Sequence, residues 1–159
     1  MATRLVHEMV YDAPAEKVAA MLADPAFRES VCETQGATEH AVQVTPAGEG
    51  MSVTIDQWLP TEGVPSFAKK IVGDSTNVVQ REEWSGPLHG DIEVTIPGKP
   101  GTMVGTATLR ESDGVTTETV ELEIKVKIPV IAGKLEELVA KLLGSALRAE
   151  ERAGKKYLD

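Results

Sequence analysis

Side chains that could bind a metal ion or a phosphate group are present in this sequence but are not arranged to do so. The three histidines, His7, His40 and His89, lie far apart, and no His-x-x-x-His or Cys-x-x-Cys pair occurs. We therefore expect no metal site. The glycines of GEGM and GKPG have the context of hairpin turns rather than of a phosphate-binding loop. No Gly-x-Ser-x-Gly nucleophile motif is present, and we expect no cofactor.

The best candidates for acid–base chemistry lie in the segment of residues 3 to 11. If this segment forms a β-strand, Leu5, His7, Met9 and Tyr11 share one face. Should that face point inward, His7 and Tyr11 could transfer protons or form hydrogen bonds inside a cavity. The alternative is that His7 is an exposed strand residue. Because the sequence supplies no obligatory partner for either side chain, catalytic residues stay unassigned.

A second polar group lies in the segment Gln80-Arg81-Glu82-Glu83-Trp84. In a strand, Arg81 and Glu83 would share one face, and Gln80, Glu82 and Trp84 the other. One interpretation is a ladder of ion pairs on the outer face of a sheet. The other is that one of these groups orients the polar head of an apolar ligand.

The two tryptophans, Trp58 and Trp84, belong to a chain in which only 4% of residues are aromatic. Either ring could line the mouth of a pocket, or fill the core at the rim of a sheet. The interior must otherwise be aliphatic. The only cysteine, Cys32, falls on a predicted short helix, which is more typical of an inert buried thiol than of a nucleophile.

Composition limits the classes of partner. The 159 residues carry a formal net charge of −9, which repels phosphates, so we expect no nucleic-acid partner. No window approaches the roughly 18 uncharged apolar residues of a spanning helix, and the N-terminus lacks a signal-peptide pattern. We therefore expect a cytoplasmic protein without stable membrane insertion, as its cysteine content also suggests. The sequence leaves open whether it is a monomer or a homodimer.

The elements that position these residues are expected to form one domain over residues 1 to 159, since no repeat or low-complexity tract divides the chain. After the first strand, DAPAEKVAAMLADP and AFRESVCETQG predict two short helices, separated at Asp24-Pro25 and closed by Gly36. Residues 37 to 128 contain segments rich in Val, Thr and Ile between turn signals. We interpret AKKIV within them as a short strand.

The last strand and the final helix have the clearest patterns. In VTTETVELEIKVKI, alternate residues from Val120 to Ile128 are apolar, which is typical of an antiparallel strand with one buried face. Residues 130 to 157 predict a helix whose apolar stripe shrinks from Leu135 towards Ala153, so we expect room for a ligand beside its Leu142–Ala149 part. Gly144 could mark a close approach or bend, or a tolerated weakness.

The order of elements is a strand, two short helices, about six to seven strands and a long helix. It excludes a doubly wound parallel sheet and favours an α+β fold with a curved antiparallel sheet wrapped around the C-terminal helix. Ala13-Pro14, Val18 and Asp24-Pro25 near the start, and KIPVIAGKLEELVAKLLGSAL near the end, carry a resemblance that covers essentially the whole chain. On these residues the chain resembles the START-like superfamily (SRPBCC), also called the helix-grip or polyketide cyclase-like fold. Within it, IPVIAGKLEE resembles an uncharacterised bacterial family known only as a domain of unknown function.

The resemblance implies a cavity between the sheet and the long helix, because members of the superfamily carry lipids, sterols or polyketides or act as aromatase/cyclases. We expect binding or transport of a small hydrophobic ligand of lipid-like, isoprenoid or polyketide-like chemistry. A cyclase/aromatase-type or hydrolase-type enzyme and a non-catalytic protein-interaction domain are the alternatives. The residues expected to line the cavity are His7, Met9, Tyr11, Val53, Ile55, Trp58, Trp84, Ile92, Val94, Met103, Val120, Leu122, Ile124, Leu135, Val139, Leu142, Ala146 and Ala149.

Overall fold

The computed structural model describes residues 2 to 159. Within them lie seven strands and four helices, in the order expected for the α+β class, which is confirmed. Their bounds are β1 Thr3–Tyr11, α1 Ala15–Leu22, α2 Pro25–Thr34, β2 Glu39–Ala47, β3 Gly50–Pro60, α3 Ser66–Val72, β4 Ser75–Trp84, β5 His89–Thr95, β6 Gly101–Ser112, β7 Val115–Val126 and α4 Ala132–Leu158.

The strands form one antiparallel sheet in the order β1-β7-β6-β5-β4-β3-β2. Strands β2 to β6 each pair with the next strand along the chain, and β1 pairs with β7, so that Thr3 lies opposite Ile124 and His7 opposite Val120. Helix α4 packs against β1 and β7 of this sheet and against α1 and α2. It therefore sits over one side of the sheet and makes much less contact with the strands on the other side.

The segment AKKIV was expected to be a strand, and that prediction is wrong. Residues Ser66–Val72 form the short helix α3, which starts after Pro65 and ends at Gly73, whose φ is 83°. Proline before the first helical residue and glycine in the left-handed region at the end are typical helix boundaries. Five residues are too few for strand alternation to be distinguished from a helical turn.

Glu136 fixes the start of α4 against the sheet. One of its carboxylate oxygens accepts a hydrogen bond from the Thr3 hydroxyl at 2.9 Å, and the other accepts one from the Val126 backbone N–H at 2.9 Å. The helix is thus joined near its start to the beginning of β1 and the end of β7. No helix within residues 2–159 has both the length and the apolar composition to cross a bilayer.

The other end of α4 comes close to the sheet at Gly154 rather than at Gly144. A Cβ atom on Gly154 would lie 2.6 Å from Tyr11 Cε1, whereas one on Gly144 would meet nothing nearer than the tip of Arg148, at 3.5 Å. Tyr11 is completely buried, so movement of its ring would disturb the packed core. The absence of a side chain at Gly154 therefore lets the helix backbone rest directly on the Tyr11 ring.

We expect Gly154→Ala to lower the free energy of unfolding by about 1–3 kcal/mol through overpacking, although alanine is the better helix former. The matched variant Gly144→Ala should raise the free energy of unfolding by up to about 1 kcal/mol, because alanine favours the helix more than glycine does and its Cβ atom would not clash there. Urea denaturation of the two variants measures both effects. A stabilising Gly154→Ala substitution would contradict the close contact.

Candidate ligand-binding cavity

A cavity of about 500 Å³ lies between α4 and the side of the sheet that α4 does not cover. This volume is within the usual range for small-molecule sites. Its walls come from β3 to β7 on one side and from the Leu135–Arg152 part of α4 on the other, with α3 and the loop before it at one end. Among the strands, α4 has its main contacts with β1 and β7, which leaves open space over β3 to β6.

Much of the expected lining surrounds this cavity. The inward-facing residues of β5, β6 and β7 contribute, since alternation along each strand points them to the concave face, and so does the apolar stripe of α4. The expected residues found in the cavity wall are Ile92, Val94, Met103, Val120, Leu122, Ile124, Leu135, Val139, Leu142, Ala146 and Ala149. Whether they contact a ligand stays a prediction.

On β1, the expected lining residues lie away from the cavity because α4 covers that strand directly. Met9 and Tyr11 are completely buried in the packed core. His7 is half-buried on the same inward face, with its Nε2 buried and without a hydrogen-bond partner among residues 2–159. The strand face predicted for acid–base chemistry therefore points inward, but into packed protein rather than into open space.

The remaining expected lining residues also lie elsewhere. Val53 is buried in the packed core, and Trp58 is 41% exposed on the outer face of the sheet, as strand alternation from Val53 requires. Trp84 is buried, and its ring lies on Gly90, where a Cβ atom would be only 2.6 Å from it. Ile55 lines a small crevice next to the cavity instead.

One end of the cavity is polar. Gln57, Gln80 and Glu150 line both the cavity and the adjoining crevice of about 10 Å³, which is about the space of one water molecule. Gln35, the residue after α2, joins them in both walls. Sequence periodicity could have identified three of these residues as inward-facing. Gln57 lies on the same strand face as Val53 and Ile55, and Gln80 shares a face with Trp84. Glu150 follows Ala146 by one turn of α4.

Behind the crevice lies a buried ion pair between Arg28 of α2 and Glu82 of β4. Arg28 Nη1 and Nη2 each donate to a different carboxylate oxygen of Glu82 at 2.9 Å. Arg28 Nε donates to the Leu22 carbonyl oxygen at 2.8 Å, and Trp84 Nε1 donates to Glu82 at 2.8 Å. Gln80 Nε2 donates to the same carboxylate, so that both charges are paired and hydrogen-bonded.

The electrostatics of this pair follow from its contacts. Burial alone would raise the pKa of Glu82, but the Arg28 charge and the hydrogen bonds from Arg28, Trp84 and Gln80 hold that pKa below its usual value. Burial would likewise lower the pKa of Arg28, and the charge of Glu82 more than reverses this. The pair is therefore ionised.

Two further carboxyl groups, Glu118 of β7 and Glu150 of α4, lie near the pair without a cation of their own. Burial raises the pKa of Glu150 to about 7, with Arg28 opposing the rise and Glu82 adding to it. Burial, followed by the charge of Glu150, holds the pKa of Glu118 well above its usual value. Glu118 Oε1 has no hydrogen-bond partner among residues 2–159. Each of these two carboxyls can therefore hold a proton under conditions in which an exposed glutamate is ionised.

Comparison with protein families gives one match. The family model described as "Protein of unknown function (DUF2505)" matches residues 6–158. No curated protein matches the chain significantly.

Several solved structures share the architecture. The Zhui aromatase/cyclase from Streptomyces sp. R1128 is 15% identical with a TM-score of 0.60, over 98% of this chain and 90% of that one. Norcoclaurine synthase from Thalictrum flavum is 11% identical with a TM-score of 0.64, over 99% and 87%. A START superfamily protein from Mycobacterium smegmatis is 12% identical with a TM-score of 0.58, over 97% and 95%. At these identities the likeness establishes a START-like helix-grip fold, as the sequence predicted, and nothing about the ligand.

Proposed function

Because the chain belongs to the DUF2505 family of proteins of unknown function and has a START-like fold, we propose that it binds a small hydrophobic ligand in the cavity beneath α4. The observation that supports this most is the cavity of about 500 Å³ itself, in a position bounded by the sheet and the long helix. Binding or transport of such a ligand requires apolar walls and a few polar groups for orientation, and both are present.

The chemistry of the wall favours flexible aliphatic ligands. Within residues 2–159 the apolar part of the wall consists of Val, Ile, Leu, Ala, Met and Pro side chains without an aromatic ring. A planar polycyclic ligand would find no ring to stack on, whereas an acyl or isoprenoid chain needs only aliphatic contact. We propose a ligand of lipid-like or isoprenoid chemistry ahead of a large aromatic polyketide.

Native mass spectrometry of the purified protein, followed by lipid extraction, tests this proposal. A mass excess that extracts as an aliphatic molecule supports it. If the protein carries no such molecule and also fails to bind the fluorescent apolar probe diphenylhexatriene, the proposal is overturned.

The substitution Ala146→Phe should block the cavity from its helix side. Ala146 lines the cavity, and a phenylalanine there would fill space that the ligand needs. We expect affinity for diphenylhexatriene to fall at least about tenfold, or about 1.4 kcal/mol of binding free energy. Lys141→Phe adds the same ring to the exposed face of α4 and should leave affinity unchanged. Equal losses in the two variants would place the probe outside the cavity.

A second candidate function is acid–base catalysis on a bound ligand. The observation that favours it is Glu150, which lines the cavity and whose pKa is raised to about 7, where a carboxyl can both donate and accept a proton at neutral pH. Turnover of a polyketide-like thioester or an alkyl ester, dependent on the Glu150 carboxyl, would distinguish catalysis from binding alone.

A further inference from the structure

We propose that the polar end of the cavity selects ligands whose apolar chain ends in a hydrogen-bond donor, with a primary ammonium group as the preferred head. This inference rests on the proposed binding function and adds the chemistry of the head group. It follows from the orientation of two amides, those of Gln57 and Gln80, and from the carboxyl groups around them.

A fixed backbone carbonyl sets the orientation of the first amide. Gln35 Nε2 donates to the carbonyl oxygen of Ala146 at 3.1 Å, and because a carbonyl oxygen can only accept, the nitrogen of Gln35 must lie on that side. Gln35 Oε1 in turn accepts from Gln57 Nε2 at 3.2 Å. The free end of Gln57 is therefore its oxygen, which is buried and has no partner among residues 2–159.

The second amide is set by a carboxylate. Gln80 Nε2 donates to Glu82, which is ionised by its pairing with Arg28 and can only accept. The amide of Gln80 therefore also keeps its oxygen free. Since both glutamines line the crevice and the cavity, each offers an acceptor there.

The carboxyl of Glu150 completes this set of acceptors. Glu150 is 9% exposed, lines the same two spaces, and receives no hydrogen bond from the described part of the chain. Arg28 reaches the crevice but not the cavity, and each of its three side-chain nitrogens already donates a hydrogen bond. At this end of the cavity a ligand head therefore meets these acceptors and not the Arg28 guanidinium.

The charge count favours a cation over a neutral donor. Arg28 is already paired with Glu82, so Glu150 has no cation of its own when it ionises, and an ammonium head would supply one. A carboxylate head would instead face free acceptors and like charge, which is unfavourable in a buried site. A carboxylate head could pair with the exposed cations of the outer cavity wall, Lys99, Lys125 and Arg152. The apolar chain of that ligand would then point towards the polar end of the cavity.

A single water molecule could satisfy the same acceptors, since the crevice of about 10 Å³ has that size. In that case the ligand head would make no difference to affinity. Displacement of diphenylhexatriene by decylamine, 1-decanol and decanoic acid, each below its micelle concentration, shows whether a ligand head or a water molecule occupies these acceptors. We expect decylamine to bind at least about tenfold more tightly than decanoic acid, as a charge-assisted hydrogen bond provides, with 1-decanol between them.

Variants distinguish this site from general attraction of a cation to an acidic protein. Glu150→Gln should weaken decylamine about tenfold while changing 1-decanol by less than about threefold, since only the amine uses the charge. Glu123→Gln, which removes an exposed charge from the outer face of β7, should change neither. Gln57→Met removes the free amide oxygen and should weaken both decylamine and 1-decanol, with decanoic acid unaffected.

Each outcome decides the proposal. If decanoic acid binds as tightly as decylamine, or if Glu123→Gln costs as much as Glu150→Gln, the head-group inference is overturned while the binding function stands. Equal affinities for all three probes would mean that water occupies the crevice, and would also overturn the head-group inference. If diphenylhexatriene binds but none of the three probes displaces it, the head-group inference alone is overturned. If the folded protein neither carries an aliphatic molecule nor binds diphenylhexatriene, the binding function itself fails, and the inference with it.

Discussion

Replacing Arg28 with methionine is expected to lower the free energy of unfolding by about 3–5 kcal/mol, which is the usual cost of breaking a buried ion pair from one side. Arg28 is 3% exposed, and its partner Glu82 is equally buried. The substitution would leave Glu82 with hydrogen bonds from Trp84 and Gln80 but without a counter-charge. It would also remove the cation nearest to Glu118 and Glu150.

The double variant Arg28→Met with Glu82→Met tests whether the loss belongs to the pair. Removing both charges takes away the uncompensated carboxylate, so the double variant should be more stable than Arg28→Met alone. Recovery should be incomplete, because Trp84 Nε1 and Gln80 Nε2 lose their acceptor. Urea denaturation of the parent, both single variants and the double variant gives the coupling energy. Strictly additive single effects would show that the pair does not act as a unit.

The same cluster shows what the sequence could and could not predict. Alternation along β7 predicted the inward face of Val120, Leu122 and Ile124, and the same parity places Glu118 on that face. Gln80, Glu82 and Trp84 were likewise predicted to share a face. Which face was inward could not be derived, because charged residues occur on both sides of β4 and local periodicity gives no other criterion.

The partner of Glu82 could not be predicted at all. Arg28 lies 54 residues away from it on a helix, and their meeting depends on how α2 sits on the concave side of the sheet. That placement is a tertiary property that propensity and alternation do not contain. The fold was predictable because each element carries its own local signal, whereas the cluster combines single residues from α2, β4, β7 and α4.

The C-terminal helix gives a related lesson about small residues. The shrinking stripe predicted space beside Leu142 to Ala149, and the cavity does run along this part, but it also extends to Leu135. Beyond Ala149 the small residues have the opposite effect, since Gly154 allows the helix to rest on Tyr11. A small side chain predicts either a void or a close backbone approach, and the packing of the neighbouring element decides between them.

Stability should fall as pH rises from about 4.5 to about 7, the opposite of the usual acid sensitivity. The pKa of Glu150 is raised from 4.5 to about 7 in the folded protein, so over this interval the folded state holds a proton that the unfolded chain releases. The free energy of unfolding then decreases with pH, by about 3 kcal/mol for this carboxyl. Glu118, whose pKa is also raised, acts in the same direction.

Urea denaturation at a series of pH values measures this slope. Glu150→Gln and Glu118→Gln should each reduce it, because an amide has no proton to lose. The exposed substitution Glu123→Gln should leave the slope as it is in the parent. A slope unchanged by both buried substitutions would assign the pH dependence to other groups.

Opposing groups limit the interval. Glu82 has a lowered pKa, so its contribution is lost as pH falls below the ordinary range of a glutamate, and stability should be greatest near pH 4.5. The groups that face Glu150 are Arg28 from α2, Glu82 from β4, Glu118 from β7 and Tyr11 from β1. Burial raises the pKa of Tyr11 further above its usual value, so the phenol stays neutral throughout.

An ammonium head in the cavity would favour ionised Glu150, and saturating decylamine should therefore flatten the slope in the parent but not in Glu150→Gln.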